Sequence, residues 1–349
     1  MINLLKRIDN PYKFDKKQKA NIFEKEFINL LKFHIKNNKK YKKFLKYFKN
    51  NLDKIENVQP LPVRIFKDLD LKTENKIFIK ELNSSGTAGS KSKIFLDKEN
   101  AYNQILVLTK IMQQFLGKER LPMLIIDKKP NQLKKDAIGA SIAAINGFSI
   151  FGKDHTFAIN KDDSLNIENI KFFLQKYKNQ KKLIFGFTFN IYKLLFANKI
   201  TQKLNFADST LLHGGGWKKL EQKMINNIEF IKIAKEKLKF ERVINYYGLV
   251  EQTGSIFVEC EKCNNFLTSV YSEIFVVNKD FKKLDKGEVG YLQLLSLLPT
   301  SYPGHNILTE DLAKICGEDD CKCGKKGKYF KVLGRIKKAE IRGCSDAKI

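Results

Sequence analysis

The chain has 349 residues, 43% of them hydrophobic, which is ample for a sizeable core in two domains or in one large domain with subdomains. Its 65 Lys and Arg against 38 Asp and Glu give a formal charge of +27, yet the lysines are spread along the whole length beside abundant asparagine and follow no nucleic-acid-binding motif. No apolar run nears the roughly 20 residues of a membrane-spanning helix. The first residues, Met1 to Lys6, lack the apolar core of a signal peptide, so a globular, cytoplasmic protein is expected. Its positive surface would steer acidic partners such as nucleotides or an acidic carrier protein.

Residues 16 to 57 read as helical, because Ile22, Phe23, Phe27, Leu30, Leu31 and His34 recur at spacings of three and four with lysines between them. That face places His34 in the packed core rather than at a ligand. After Pro60, Leu61 and Pro62 the pattern shortens into strands. Two of them, at Ile77–Ile79 and Ile94–Leu96, should flank a loop that holds Ser84, Ser85, Gly86, Thr87, Gly89, Lys91 and Lys93. Gly86 and Gly89 allow tight turning and close approach of a ligand, and the hydroxyls and lysines suit an anion. Such a loop is a polyphosphate cradle or an ordinary Ser/Gly hairpin turn. It is neither the Gly-Lys-Ser/Thr nucleotide loop nor the dinucleotide Gly-x-Gly-x-x-Gly turn.

Met123–Asp127, Leu183–Phe187 and Ser209–Leu212 read as buried strands, each followed by helix-like sequence. Their alternation predicts a mixed or parallel sheet covered by helices. The stretch Ala140 to Phe151 could line an acyl tunnel, and core packing explains it equally well. His213 leads into Gly214, Gly215 and Gly216 at a strand's carboxyl end, before a helix expected near Leu220; three glycines there make a side-chain-free floor at the sheet edge where α/β proteins bind ligands. Trp217 can stack on a base or pack in the core, and packing is the safer reading.

Tyr246, Tyr247, Gly248 and Glu251 follow a strand at Val243 and Ile244. A ring there can lie on a purine and the carboxylate can hold magnesium; an ordinary turn with an exposed glutamate is the alternative. Thr309 to Leu312 offers Asp311 to ribose hydroxyls, and Gly334-Arg335 offers a guanidinium to ribose or phosphate. The last third is richer in short strands and turns.

The cysteines number six, and in a cytosolic setting they argue for metal or catalysis before disulfides. Cys260 with Cys263, and Cys321 with Cys323, have the paired spacing of a tetrahedral zinc site, which four thiolates would make structural. Free thiols are the alternative, and Cys316 leaves open which four would bind. Cys344 stands apart.

The order of these motifs resembles the acyl-adenylate-forming superfamily. Ser84-Ser85-Gly86-Thr87, Gly186-Phe187-Thr188-Phe189, Gly214-Gly215-Gly216-Trp217-Lys218 and Arg342-Gly343-Cys344-Ser345 look most like the acyl-protein synthetases of bacterial bioluminescence, with phenylacetate-CoA ligases next. The resemblance implies the superfamily's N-terminal-type α/β fold: mixed and parallel sheets covered by helices plus a small β subdomain, with the mobile C-terminal domain absent or truncated. It divides the chain into a helical segment over 1–58, an adenylation core over 59–334 and a tail over 335–349 that carries Cys344.

The implied activity is ATP- and Mg2+-dependent conversion of a carboxylic acid, a medium or long fatty acid above all, to an acyl-adenylate. In that reading Ser84, Ser85, Gly86, Thr87 and Gly89 hold phosphates, and Glu251 holds magnesium. Tyr247, Gly248 and the floor Gly214–Gly216 bracket adenine, and Asp311 and Arg335 take the ribose. Cys344 matches the cysteine that accepts the acyl group in acyl-protein synthetases; an inert thiol is the alternative. The lysine of the superfamily's C-terminal domain has no counterpart, which leaves Lys218, Lys91 and Lys93 as candidates. The onward acceptor would be a reductase or an acidic acyl carrier protein. Direct transfer to coenzyme A or to a carrier-protein thiol instead, as by an acyl- or aryl-CoA ligase or a carrier-protein ligase, or a non-catalytic basic nucleic-acid-binding protein, are the rival readings.

Overall fold

The computed structural model describes residues 2–48, 52–84, 91–130, 139–217 and 225–336. In chain order its strands are β1 (Leu61–Pro62), β2 (Phe78–Asn83), β3 (Lys93–Asp97), β4 (Leu121–Ile126), β5 (Gly152–Phe157), β6 (Lys182–Phe187), β7 (Ser209–Gly214) and β8 (Arg242–Tyr247). Six shorter or antiparallel strands follow, β9 (Phe257–Glu259), β10 (Phe266–Leu267), β11 (Ser272–Val277), β12 (Gly290–Ser296), β13 (Asn306–Glu318) and β14 (Lys328–Arg335). The helices that matter below are α1 (Lys16–Asn37), α2 (Lys39–Lys46), α3 (Ala140–Ser149), α4 (Ile167–Lys176) and α5 (Asn227–Leu238).

The helical stretch expected over 16–57 is not continuous. α1 opens with a capping box, in which Gln18 N donates to Asp15 Oδ1 at 2.9 Å and Asp15 N donates to Gln18 Oε1 at 3.2 Å. It stops at Asn38, which is extended at φ −144°, and whose Oδ1 accepts from Tyr41 N at 2.8 Å to cap α2. The Asn38 amide also donates to Lys72 O at 2.9 Å, so one polar side chain ends one helix, starts the next and fixes a loop. His34 is fully buried, and its Nε2 lies 2.8 Å from Pro299 O.

By packing, the described residues fall into two compact units, one drawn from the described parts of 2–84, 91–115 and 248–336, the other from those of 116–247. The second unit is a five-stranded parallel sheet in the order β5-β4-β6-β7-β8. The central strands β4, β6 and β7 are buried almost throughout because both faces are covered, whereas the edge strand β5 exposes Lys153, Asp154 and His155. Leu124, Ile126 and Ile184 on the strands meet Ile170 and Phe173 of α4 and Phe230 of α5, all at most 1% exposed. Each such side chain contributes about 1.5–3 kcal/mol by leaving water.

In the first unit the strands run antiparallel in the order β11-β12-β13-β14-β10-β9, with β1 parallel to β13. The N-terminal residues are stitched to this sheet: Val270 N donates to Pro11 O at 2.9 Å and Tyr271 Oη to Ile8 O at 3.0 Å. The buried Lys19 Nζ lies 3.2 Å from Glu273, which Lys328 also reaches at 3.3 Å. Burial alone would push the Glu273 carboxyl up; these two ammonium groups outweigh it and hold the group down at about 2. β2 and β3 form a separate antiparallel hairpin in the same unit, as the sequence predicted around the Ser/Gly loop. The apolar residues that suggested β2 are not core: Ile77 is 86% and Ile79 61% exposed.

Candidate active site

The β2–β3 hairpin brings the two ends of the Ser/Gly loop together. Asn83 faces Lys93 across the ladder, Ser84 N donates to Ser92 O at 3.1 Å, and Ser92 N donates to Ser84 Oγ at 2.9 Å. Ser92 is fully buried, and its hydroxyl donates to Glu251 Oε1 at 2.6 Å. Glu251 stands in a short 3-10 turn, Val250–Gln252, and is 2% exposed. The neighbouring Gln252 amide fixes that turn by donating to Leu294 O and Gly304 O at 3.2 and 3.0 Å.

Glu251 is therefore a buried carboxylate joined to the base of the loop, not the exposed glutamate of an ordinary turn. A single carboxylate beside hydroxyl groups is a donor set that suits magnesium, which takes one or two carboxylates and completes its shell with water and substrate phosphate. Gly248, three residues earlier, is tightly walled: a Cβ there would lie 2.8 Å from Ile256 Cδ1. Ser85, Gly86, Thr87 and Gly89 lie outside the described residues.

Asp311 and Arg335 are brought together as direct partners in the β13–β14 ladder. Arg335 Nε is 3.7 Å from Asp311 Oδ1, and Nη2 donates to Glu310 Oε2 at 2.6 Å. Glu310 is 7% exposed and also accepts from Arg64 Nε. Gly334 has φ +130°, a conformation that strongly favours glycine, and sets the turn of backbone just before the guanidinium. Among the described residues Arg335 Nη1 is buried without a hydrogen-bond partner, which leaves one donor of an otherwise anchored guanidinium for a ligand oxygen. Sequence reasoning chose Asp311 and overlooked Glu310 and Arg64, although Glu310 is the carboxylate that holds both arginines.

In the parallel unit, the carboxyl ends of three strands converge. Phe187 faces Gly214, and Gly214 faces Tyr246, across adjacent ladders. Gly214 is buried, and a Cβ there would lie 2.6 Å from the Tyr246 ring, so that ring fills the space the glycine leaves. The open part of the glycine floor is Gly215, at φ +83°, and Gly216, both exposed. Tyr246 packs on Phe148 of α3 at 4.4 Å between centroids, and Tyr247 beside it is half-buried.

Trp217 packs edge-on against Tyr192 at 5.0 Å, which supports the core reading of that ring. His213 is buried, its Nδ1 is 3.0 Å from Thr188 Oγ1, and its ring stacks on Phe230 at 4.3 Å. Burial pulls its pKa down to about 3, so it is neutral. The pair Thr188 and His213 was present in the quoted motifs but had no spacing that marked it. Lys218 and the expected helix start near Leu220 lie outside the described residues, as does Cys344.

Cys260, Cys263, Cys321 and Cys323 gather beside β10, with Cys321 Sγ at 3.6, 3.3 and 3.2 Å from the sulfurs of Cys260, Cys263 and Cys323. Cys316 is not in this group; its Sγ contacts Lys314 O at 3.8 Å.

This fold, a parallel unit with Gly215 and Gly216 exposed at its carboxyl edge and an antiparallel unit carrying the acid–arginine ladder, is that of the acyl-adenylate-forming ligases. Among solved structures it is similar to 2-hydroxyisobutyryl-CoA ligase in the postadenylation state with 2-HIB-AMP, at a TM-score of 0.71 and 12% identity, covering 95% of this chain and 71% of that one. The same ligase with 2-HIB-AMP and CoA gives 0.70 at 13% identity, covering 93% and 70%. Anthranilate CoA ligase AuaEII with anthranoyl-AMP gives 0.51 at 14% identity, covering 75% and 48%. A search of curated proteins returned no match.

The sequence profile of the family described as acyl-protein synthetase, LuxE, matches residues 4–348. The chain belongs to that family, and it is an ATP-dependent acyl-adenylate-forming enzyme. No described helix is long and apolar enough to cross a membrane.

Proposed function

We propose that this enzyme activates a fatty acid with ATP and passes the acyl group from the adenylate to its own Cys344. The carboxylate oxygen attacks the α-phosphorus, the bond from that phosphorus to the bridging oxygen breaks, and pyrophosphate leaves. The Cys344 thiolate then attacks the acyl carbon, the acyl–phosphate C–O bond breaks, AMP leaves and a thioester remains. The observation that carries the reading is the buried Ser92–Glu251 contact at the base of the Ser84–Ser92 loop, in a chain that fits the family over residues 4–348.

In this reading Ser84, Ser85, Gly86, Thr87 and Gly89 receive the β- and γ-phosphates. Glu251 holds magnesium, which when bound neutralises phosphate charge and so lowers the repulsion that an anionic nucleophile meets. Tyr247, Gly248 and the glycines 214–216 position adenine. Asp311 accepts from the ribose, and the Nη1 of Arg335 donates to ribose or phosphate. Lys218, Lys91 and Lys93 are the candidates for the lysine that steadies the transferring phosphate. Residues 59–334 form the adenylation core behind a helical segment over 1–58, and 335–349 carry the acceptor. The onward acceptor is a reductase or an acidic acyl carrier protein, which the charge of +27 would attract.

Carboxylate-dependent exchange between ATP and pyrophosphate, screened over acids of different chain length, tests the first half-reaction, and Glu251→Ala should abolish it. Radiolabelled acid should leave covalent label on the protein that disappears in Cys344→Ser and persists in Cys316→Ser. A second reading, release of an acyl-CoA, is favoured by likeness to a ligase whose structure holds both 2-HIB-AMP and CoA. Label retained in Cys344→Ser together with CoA-dependent thioester release would establish that reading instead. Absence of exchange with every acid tried would overturn both.

A further inference from the structure

We propose that Cys260, Cys263, Cys321 and Cys323 bind one zinc ion that clasps two hairpins of the antiparallel unit, a site independent of the acyl-transfer chemistry. The sequence supplied two cysteine pairs 61 residues apart and could not say whether they meet. They do meet, because β10 pairs with β9 on one side and with β14 on the other, Phe266 facing Glu259 and Phe330. The turn that follows β9 and the turn that joins β13 to β14 thus flank one strand of two residues, β10, and their sulfurs meet across it.

Each turn is built to present sulfur. In the first, Cys260 N donates to Asn265 O at 2.9 Å, Asn264 N donates to Cys260 O at 2.7 Å, and Asn264 takes a left-handed φ of +51° to close the loop. The backbone amide of Lys262 points at Cys260 Sγ at 3.4 Å, a contact that stabilises negative charge on a thiolate. In the second, Gly324 N donates to Cys321 O at 3.0 Å, and Gly324 itself has φ +79°. Glycine supplies that conformation directly after the Cys321-x-Cys323 pair.

The sulfur spacing discriminates between the possibilities. Contacts of 3.2 to 3.6 Å are far longer than a disulfide bond of about 2.05 Å. They are close to the roughly 3.8 Å edge of a tetrahedron of sulfurs at about 2.3 Å from zinc; Cys260, Cys321 and Cys323 lie within 4.8 Å of one another, and Cys263 joins them through Cys321 at 3.3 Å. Cys260 and Cys321 are buried, and all four cysteines are free thiols. Thiolates select zinc or iron among the common ions, and four of them close the shell, so the ion is structural. What it secures is the closed end of the β13–β14 hairpin, whose other end carries Asp311 and Arg335.

The test is elemental analysis of the untagged full-length protein after dialysis against a chelator. One zinc per chain is expected, released by a mercurial reagent in step with four thiols. Cys321→Ser should lose the metal and Cys316→Ser should keep it. If Cys321→Ser does not fold, wild-type protein produced in cobalt medium should show the absorption of a tetrahedral cobalt thiolate. Native protein that contains iron, that contains no metal and reacts at all four thiols without denaturant, or that carries a disulfide within this group would overturn the proposal.

Discussion

The hydroxyl of Ser92 donates to the carboxylate of Glu251 across 159 residues of sequence, at 2.6 Å and with both groups buried. That bond joins the stem of the Ser/Gly loop to the turn that carries Glu251, the acid proposed above to hold magnesium. A charge-assisted hydrogen bond of this kind is worth about 1.5–3 kcal/mol. Ser92→Ala should therefore lower kcat/KM for MgATP in the exchange assay roughly tenfold to a hundredfold. Ser92→Thr should retain most of it. Equal activity of Ser92→Ala and wild type would show that Glu251 is positioned by other contacts.

Glu310 is the hinge of a second prediction. It holds Arg335 and Arg64 on its two oxygens, so Glu310→Gln keeps the shape and removes the charge that organises both guanidinium groups. The KM for ATP should rise roughly tenfold, the equivalent of about 1.4 kcal/mol, with a smaller change in kcat. Steady-state kinetics at saturating acid would check this, and Arg64→Lys should give a milder version because Lys cannot reproduce the planar fork.

Gly214 tests packing at the carboxyl edge of the parallel sheet. A methyl group there would sit 2.6 Å from the Tyr246 ring, so Gly214→Ala must displace the ring and should cost about 1–3 kcal/mol of stability. Thermal unfolding would show the loss. Because the clash is with one side chain, Tyr246→Leu in the same chain should recover part of it, and strictly additive losses would refute that assignment.

The dependence of stability on pH follows from buried histidines. Burial pulls His34 down to about 4 and His213 to about 3, and holds His305, stacked on His34 at 4.8 Å, well below its ordinary value. Below about pH 6.5 the unfolded chain binds protons at these positions and the folded chain does not. Stability is therefore lost as pH falls from about 6.5 toward 4, by up to about 1.4 kcal/mol per pH unit for each histidine. Denaturant midpoints at pH 7.5, 6 and 5 should decline in that order, and His213→Gln should make the decline shallower.

What was readable from the sequence was the part governed by local composition. β4, β6 and β7 are apolar runs with turn residues at their ends, and the parallel order follows from the helices between them. The break at Asn38 was hidden, because an asparagine among lysines gives no periodic signal and the second contact of its side chain, to Lys72 O, comes from another segment. Glu310 was hidden for a related reason. Adjacent to Asp311 and chemically equivalent to it, Glu310 is distinguished only by the ladder that brings Arg335 across and by Arg64 arriving from a distant loop. The cysteine pairs were legible as pairs, whereas their meeting depended on β10 lying between β9 and β14.

The lock between Asp311 and Arg335 also fixes a length. Arg335 ends β14, and Cys344 follows it by nine residues, a contour of at most about 32 Å. In the proposed function this span tethers the acceptor thiol within that distance of Arg335. In the proposed reaction, the thioester would form by an intramolecular encounter whose rate is set by tether length. Inserting glycine and serine residues after Arg335 would dilute the thiol at the adenylate gradually, and deletions too short to span the gap would stop transfer while leaving adenylation intact.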